Sequence, residues 1–134
     1  MLARIVQGLA WLVVGGIALQ FYLAGAALFA GATFQPHRML GNALGVAILL
    51  LLIVVLIARP GRRAVGMAAT LTALTIVQVV LPSLRTGLPW VAALHVVNAL
   101  VIASLAVSLA RASSTHAPET RTGREAQLAT AEST

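Results

Sequence analysis

The chain consists mostly of long apolar runs, separated by short breaks that contain polar residues, proline or glycine. Apolar and polar residues do not alternate within these runs, so the pattern predicts helices rather than strands. About 20 consecutive apolar residues are enough for a helix to span a bilayer. The pattern predicts four such spans, at about residues 5–29, 37–58, 64–81 and 89–110.

Proline and glycine mark the ends of the predicted spans. Arg59-Pro60-Gly61 ends the second span and Pro82 ends the third, because both residue types interrupt helices. Pro89 opens the fourth span at a first-turn position, which proline favours. The breaks therefore predict one all-α domain over residues 1–110, a membrane protein with a four-transmembrane-helix bundle.

The first span has a second interpretation. Arg4, the apolar run after it and Ala30-Gly31-Ala32 are similar to a signal peptide with its cleavage site. The run is about 25 residues long, whereas the apolar region of a signal peptide has roughly 7–15 residues. We therefore expect a span that is retained.

The composition agrees with a membrane protein and limits its chemistry. Hydrophobic residues make up 60% of the 134 residues and charged residues only 9%, against about 25% charged in soluble domains. Cysteine is absent, which excludes disulfides, Cys-ligated zinc and covalently attached haem. The only acidic residues are three Glu near the carboxyl terminus. With no carboxylate in the spans, an enzyme is the weakest interpretation.

The net charge of +6 reflects membrane topology rather than a nucleic-acid partner. All nine basic residues are Arg. Only Arg38 and Arg85 lie on one side of the predicted spans, so the positive-inside rule places both termini in the cytoplasm. The other side carries Arg4, Arg59, Arg62, Arg63, Arg111, Arg121 and Arg124. The composition is typical of a bacterium, so we expect the inner (plasma) membrane. Residues 111–134, including His116, predict a disordered, solvated cytoplasmic tail.

An internal repeat relates the two halves of the chain. Gln20 precedes His37 by 17 residues, and Gln78 precedes His95 by the same spacing. The bundle is thus predicted to consist of two tandem two-helix repeats, related by an axis along the membrane normal. Such an axis would bring His37 and His95 to the same depth, facing each other near the outer end of the bundle.

Paired imidazoles at one depth suit a flat metal macrocycle, with one axial nitrogen on each face. Ionisable groups inside membrane helices usually face the interior and mark function. The alternatives are structural: His37 is adjacent to Pro36 and Arg38 and fits an interface residue, and His95 fits a hydrogen-bonded core histidine. Each histidine taken singly favours the structural alternative, and the repetition of the pair leaves both this alternative and ligation of a haem open.

Small residues follow each histidine by one helical turn. Gly41 and Gly45 come one and two turns after the first histidine, and Ala99 comes one turn after the second. They would leave room for a porphyrin edge. Gly41 and Gly45 also form a G-x-x-x-G pattern, which is typical of close helix contact.

The remaining polar residues of the spans have similar double interpretations. Arg38 and Arg85 would pair with haem propionates or anchor the helices at the interface. Four amide side chains in the spans are interpreted as interhelical hydrogen-bonding groups rather than catalysts. These are Gln20, Gln78, Asn42 and Asn98.

About 100 residues, everything but the tail, resemble one four-span half of haem A synthase. The resemblance is carried by these segments: Gln20-Phe21-Tyr22-Leu23-Ala24-Gly25, His37-Arg38, Gln78-Val79-Val80-Leu81, Thr86-Gly87-Leu88-Pro89 and Trp90-Val91-Ala92-Ala93-Leu94-His95. In that family the histidines at these two places are haem ligands within each half. The resemblance therefore implies that His37 and His95 are ligands.

The departures from that family change the expected activity. The catalytic half of haem A synthase has Glu one turn before its first histidine, and this chain has Phe34 there. The resemblance is thus to the non-catalytic half, which implies a b-type haem. The chain also resembles a broad group of small four-span bacterial proteins whose family label implies no activity.

Two function hypotheses follow. The first is a bis-His haem b protein for electron transfer or haem handling. The second is a cofactor-free bundle, either an accessory subunit or a small-ligand binder. The sequence leaves open a homodimer or a larger membrane complex.

Overall fold

The computed structural model describes residues 2–113, and within that range it is helical with no strand. Three of the helices lie within a residue or two of the predicted spans, and the first begins three residues earlier. The elements are α1 (Leu2–Phe29), α2 (Gln35–Ala58), α3 (Arg62–Val80), a 3-10 segment (Leu81–Thr86) and α4 (Pro89–Ala112). Residues 114–134, with His116 and most of the predicted tail, lie outside the described residues.

The predicted breaks have the expected backbone conformations. Arg59 ends α2 in the left-handed region, with φ 47°, and Gly61 precedes α3 with φ 129°. A positive φ is accessible to glycine without strain. Pro89 is the first residue of α4. Pro82 does not end the third span outright, because the chain continues beyond it as the 3-10 segment.

The four helices form a closed ring in which each helix packs against two neighbours. The contacts run from α1 to α2, from α2 to α3, from α3 to α4 and from α4 back to α1. Within the described residues the backbones of α1 and α3 do not pack against each other, and neither do those of α2 and α4. These two pairs therefore occupy opposite corners, as expected for two tandem two-helix units.

The apolar core occupies only one half of the bundle. Fourteen buried residues form one cluster, all of them between 6 and 17, 44 and 55, 68 and 71, or 102 and 110. We call this part the packed half. The other half, which we call the histidine half, comprises residues 18–43 and 72–101. Among its described side chains only Leu81 is buried.

All four helices are long and apolar enough to cross a membrane. Large apolar side chains are exposed on every helix, among them Leu12, Val46, Ile76 and Val97. A soluble domain rarely exposes apolar patches of this extent, whereas lipid solvates them. The chain is therefore an all-α, multi-pass membrane protein with a four-helix bundle.

Candidate functional site

Two histidines from opposite helices meet inside the histidine half. His37 lies in the first turn of α2 and His95 in the second turn of α4. Their ring centroids are 6.3 Å apart, and the ring planes are inclined at 63°. Both side chains are half-buried. The expectation that the two imidazoles face each other at one depth is confirmed, whereas their role as ligands stays a prediction.

The repeated Gln-to-His spacing produces the same contact in both units. The Nδ1–H of His37 donates to the backbone carbonyl of Gln20 over 3.1 Å. The Nδ1–H of His95 donates to the backbone carbonyl of Gln78 over 3.0 Å. Because a carbonyl oxygen only accepts, each Nδ1 carries the proton, and the Nε2 of the neutral ring keeps its lone pair. The internal repeat is therefore confirmed at the level of this contact.

Pro82 explains why the carbonyl of Gln78 is available. In a regular helix, the N–H of the residue four positions later donates to each carbonyl. Proline has no N–H, so Pro82 cannot donate to Gln78. The predicted helix break therefore exposes an acceptor for His95. In the first unit Ala24 lies where Pro82 lies in the second, and it has a backbone N–H. The helix α1 therefore continues past Gln20, and His37 bonds to a carbonyl inside a helix.

In the second unit, a chain of amide hydrogen bonds adds to this contact. The Nδ2 of Asn98 donates to the Oε1 of Gln78 over 2.7 Å and to the carbonyl of Leu74 over 2.9 Å. The Nε2 of Gln78 lies 3.2 Å from the Nε2 of His95. With the proton of His95 on Nδ1, the amide donates and the imidazole accepts. Both ring nitrogens of His95 are thus engaged by Gln78.

The first unit lacks these amide hydrogen bonds. Leu40 has the position relative to His37 that Asn98 has relative to His95, so it offers no donor. The Oε1 of Gln20 is accordingly buried without a hydrogen-bond partner. Within the described part of the chain, no hydrogen bond to the Nε2 of His37 is found. Two acceptors are therefore unpaired in the first unit, whereas their counterparts in the second are paired.

Gly41 makes space for the side chain of Gln20. A Cβ at Gly41 would lie 2.8 Å from the Nε2 of Gln20, closer than real Cβ contacts. A Cβ at Gly45 would lie 3.9 Å from the Cγ2 of Thr75 on α3, an ordinary contact. The space beside Gly41 is therefore filled by Gln20, which agrees with the close-contact interpretation of the glycine pair.

Three other residues singled out in the sequence are exposed. Arg38 and Arg85 are exposed. Asn42 is exposed too, so the prediction of interhelical bonding is confirmed for Asn98 and wrong for Asn42. Phe34 contacts His37 edge-on, with ring centroids 6.1 Å apart. Sequence reasoning missed this contact, although the aromatic residue one turn before the histidine signals it.

The donor set is restricted to the two imidazoles. Among residues 2–113 no group of three or more His, Cys, Asp or Glu side chains could hold a metal ion. Two protein nitrogens alone leave most positions of a transition-metal ion unfilled, whereas a porphyrin supplies four equatorial nitrogens. The donor set thus fits a metal macrocycle better than a bare ion.

Fold and site together define a multi-pass membrane protein that holds a histidine pair between two repeated helix pairs. The chain belongs to a family of unknown function, DUF6220, whose model matches residues 20–87. The matched segment begins at Gln20 and includes His37 and Gln78, and it ends before His95. No curated protein and no solved structure matches the chain significantly.

Proposed function

We propose that the protein binds one haem b in the histidine half, with His37 and His95 as axial ligands, and serves electron transfer or haem handling. The observation that carries the proposal is the convergence of the two imidazoles from opposite helices, 6.3 Å apart between ring centroids. The resemblance to one half of haem A synthase assigns ligands to the same two positions.

The separation of the rings supports a shared metal centre. A bond between a first-row metal and an imidazole nitrogen is about 2.0–2.1 Å long. The ring centre lies roughly 1 Å beyond that nitrogen, so two imidazoles on opposite sides of one metal have centres about 6 Å apart. The distance of 6.3 Å agrees with this value.

The protonation of the rings supports ligation as well. Metal-binding histidines commonly donate their second ring N–H to a carbonyl, which fixes the tautomer and the ring orientation. His37 and His95 both do so, through the carbonyls of Gln20 and Gln78. The nitrogen that would bind a metal is Nε2 in each case.

The side chains of the histidine half are less buried than those of the packed half. The packed half encloses fourteen buried apolar residues, whereas the histidine half contains half-buried glutamine, glycine and alanine positions instead. A haem bound there would supply one-electron redox chemistry. The protein's own residues would hold it, set the tautomer of each ligand and exclude water through the surrounding apolar helices.

Arg38, Arg85 and Phe34 support haem binding rather than haem hydroxylation. Arg38 and Arg85 are exposed, and cationic guanidinium groups at that end would pair with haem propionates. Position 34, where the catalytic half of haem A synthase has Glu, holds Phe34 against His37. A phenyl ring cannot transfer a proton, so we propose no haem oxidation by this chain.

We also propose that the protein resides in a bacterial inner membrane with both termini in the cytoplasm. Seven of the nine arginines flank the packed half or follow it, and basic residues accumulate on the cytoplasmic side. The histidine half would then lie in the outer leaflet.

Absorbance spectroscopy of the detergent-purified protein tests the haem proposal. Protein from haem-sufficient cells is expected to show a Soret band and, after dithionite reduction, the sharp bands of a six-coordinate low-spin haem b. His37→Ala and His95→Ala should each abolish or change this spectrum. His116→Ala, which changes the third histidine of the chain, is the matched control and should leave the spectrum unchanged.

Colourless protein that develops no Soret band when haemin is added would overturn the haem proposal. A spectrum that survives both single replacements would show that haem binds elsewhere.

One observation favours the second candidate function, a cofactor-free bundle that acts as an accessory subunit or binds a small ligand. The Nε2 of His95 already accepts a hydrogen bond from Gln78, so this imidazole is satisfied without a metal. In that case His37→Ala and His95→Ala should change only thermal stability, by about 1 kcal/mol. Colourless wild-type protein together with such small shifts would support this candidate over the first.

A further inference from the structure

We propose that Gln78 is a gate on His95, so that an incoming haem binds His37 first and captures His95 only after the Gln78 amide has moved away. The inference rests on the proposed function and adds an order of ligation to it. It follows from the difference between two units that are otherwise repeats.

The gate consists of one side chain held from two sides. The Nε2 of Gln78 donates a hydrogen bond to the Nε2 of His95 over 3.2 Å. This Nε2 of His95 is the nitrogen that would bind the metal. The Oε1 of Gln78 is held in turn by Asn98 at 2.7 Å. Because the hydrogen-bonded lone pair is the one a metal needs, the amide and the metal compete for it.

The equivalent glutamine of the first unit does not compete. The amide of Gln20 lies over Gly41, and its Oε1 has no partner. Among the described residues His37 makes a hydrogen bond only through Nδ1, so no amide competes for its Nε2 lone pair. Gln20 and Gln78 therefore form a matched pair in which only the second blocks its histidine.

Chemical modification tests the gate without any cofactor. Diethyl pyrocarbonate reacts with an unprotonated imidazole nitrogen, so the apo protein is treated in detergent and the modification of each histidine is followed by mass spectrometry. Gln78→Leu should raise the rate at His95 relative to His37 by about three- to ten-fold, the factor that one net hydrogen bond contributes. Gln20→Leu should leave the ratio of the two rates unchanged.

The ratio separates gating from loosening of the fold. A variant that merely loosened the bundle would raise both rates together and leave their ratio as it was, and this result would overturn the gate. An equal change of the ratio in Gln20→Leu and Gln78→Leu would overturn it as well.

Titration with haemin tests the order of ligation. His95→Ala retains the open His37 and should bind haemin about three- to ten-fold more tightly than His37→Ala, in which only the blocked histidine remains. Adding Gln78→Leu to His37→Ala should remove this difference. Equal affinities of the two single variants would refute the order.

The two tests fail independently of each other. If no variant and no wild-type protein binds haemin, the proposed function fails, while the modification ratio still decides whether Gln78 blocks His95. If haemin binds but the modification ratio does not respond to Gln78→Leu, haem binding stands and the gate is rejected.

Discussion

Asn98 is the residue whose replacement probes the second unit most directly. Asn98→Leu preserves the approximate volume of the side chain and removes its two hydrogen bonds, to Leu74 and Gln78. Interhelical hydrogen bonds in membrane bundles contribute about 0.6 kcal/mol on average and at most about 1.7 kcal/mol. Two such bonds predict a loss of about 1–2 kcal/mol in the free energy of unfolding. The replacement also leaves the Oε1 of Gln78 unpaired, the state that the Oε1 of Gln20 already shows.

The loss is measured by unfolding the apo protein in mixed micelles with increasing mole fractions of sodium dodecyl sulfate. Asn42→Leu is the matched control, because Asn42 is exposed on the same bundle and an apolar side chain there should be neutral or stabilising in lipid. If Asn98→Leu unfolds at the same detergent fraction as wild type, or shifts no more than Asn42→Leu, the described hydrogen bonds contribute nothing to stability and the reasoning fails.

The reciprocal change transfers the donor to the first unit. Leu40→Asn loses apolar contact, because Leu40 packs against the core, but it places an amide where Asn98 lies in the second unit. The new amide should pair with the Oε1 of Gln20. A double-mutant cycle with Gln20→Leu should therefore show a favourable coupling of about 0.6 kcal/mol. A coupling of zero would mean that the two units do not share this geometry.

Two further predictions concern packing and topology. Gly16→Ala should destabilise the bundle by about 1–2 kcal/mol in the same unfolding assay, because its Cβ would lie 2.5 Å from the Cδ2 of Leu44. Gly15→Ala is the control and should be neutral, because a Cβ there would have nothing within 4 Å. Equal effects of the two replacements would contradict the packing of α1 on α2. A reporter fused after Thr134 should be active only in the cytoplasm, because seven of nine arginines predict that side, and periplasmic activity of the fusion would invert the topology.

Much of the fold was predictable because membrane helices are governed by local rules. Continuous apolar runs of sufficient length must form helices in lipid, since every backbone group has to be paired within its own segment. The four helices therefore agree closely with the predicted spans. The exception is Pro82, after which the chain forms a 3-10 segment up to Thr86 before α4 begins. Proline removes one hydrogen bond but does not dictate the conformation of the residues that follow.

The distribution of the core was not predictable from hydropathy. Both halves of each span are apolar, yet the buried cluster lies only in the packed half. Which apolar side chains are buried depends on how closely the helices approach one another. Gly16 permits a close approach of α1 to Leu44 in the packed half.

The sequence alone determined that His37 and His95 meet. The spacing of 17 residues from glutamine to histidine recurs in two helix pairs of the same orientation, and a repeated unit places its equivalent residues at equal depth. The spacing does not specify which groups accept from the rings. The structure shows that the carbonyls of Gln20 and Gln78 hold the rings.

Only the tertiary structure decided that the two halves of the site differ. A glutamine side chain has three rotatable bonds, so its partner depends on what the neighbouring helix presents. Asn98 directs the amide of Gln78 onto His95, whereas Leu40 offers no donor and the amide of Gln20 lies over Gly41. A pattern along one chain specifies which residues recur. Contacts between side chains on different helices decide which lone pairs remain free, and these contacts exist only once the helices have packed.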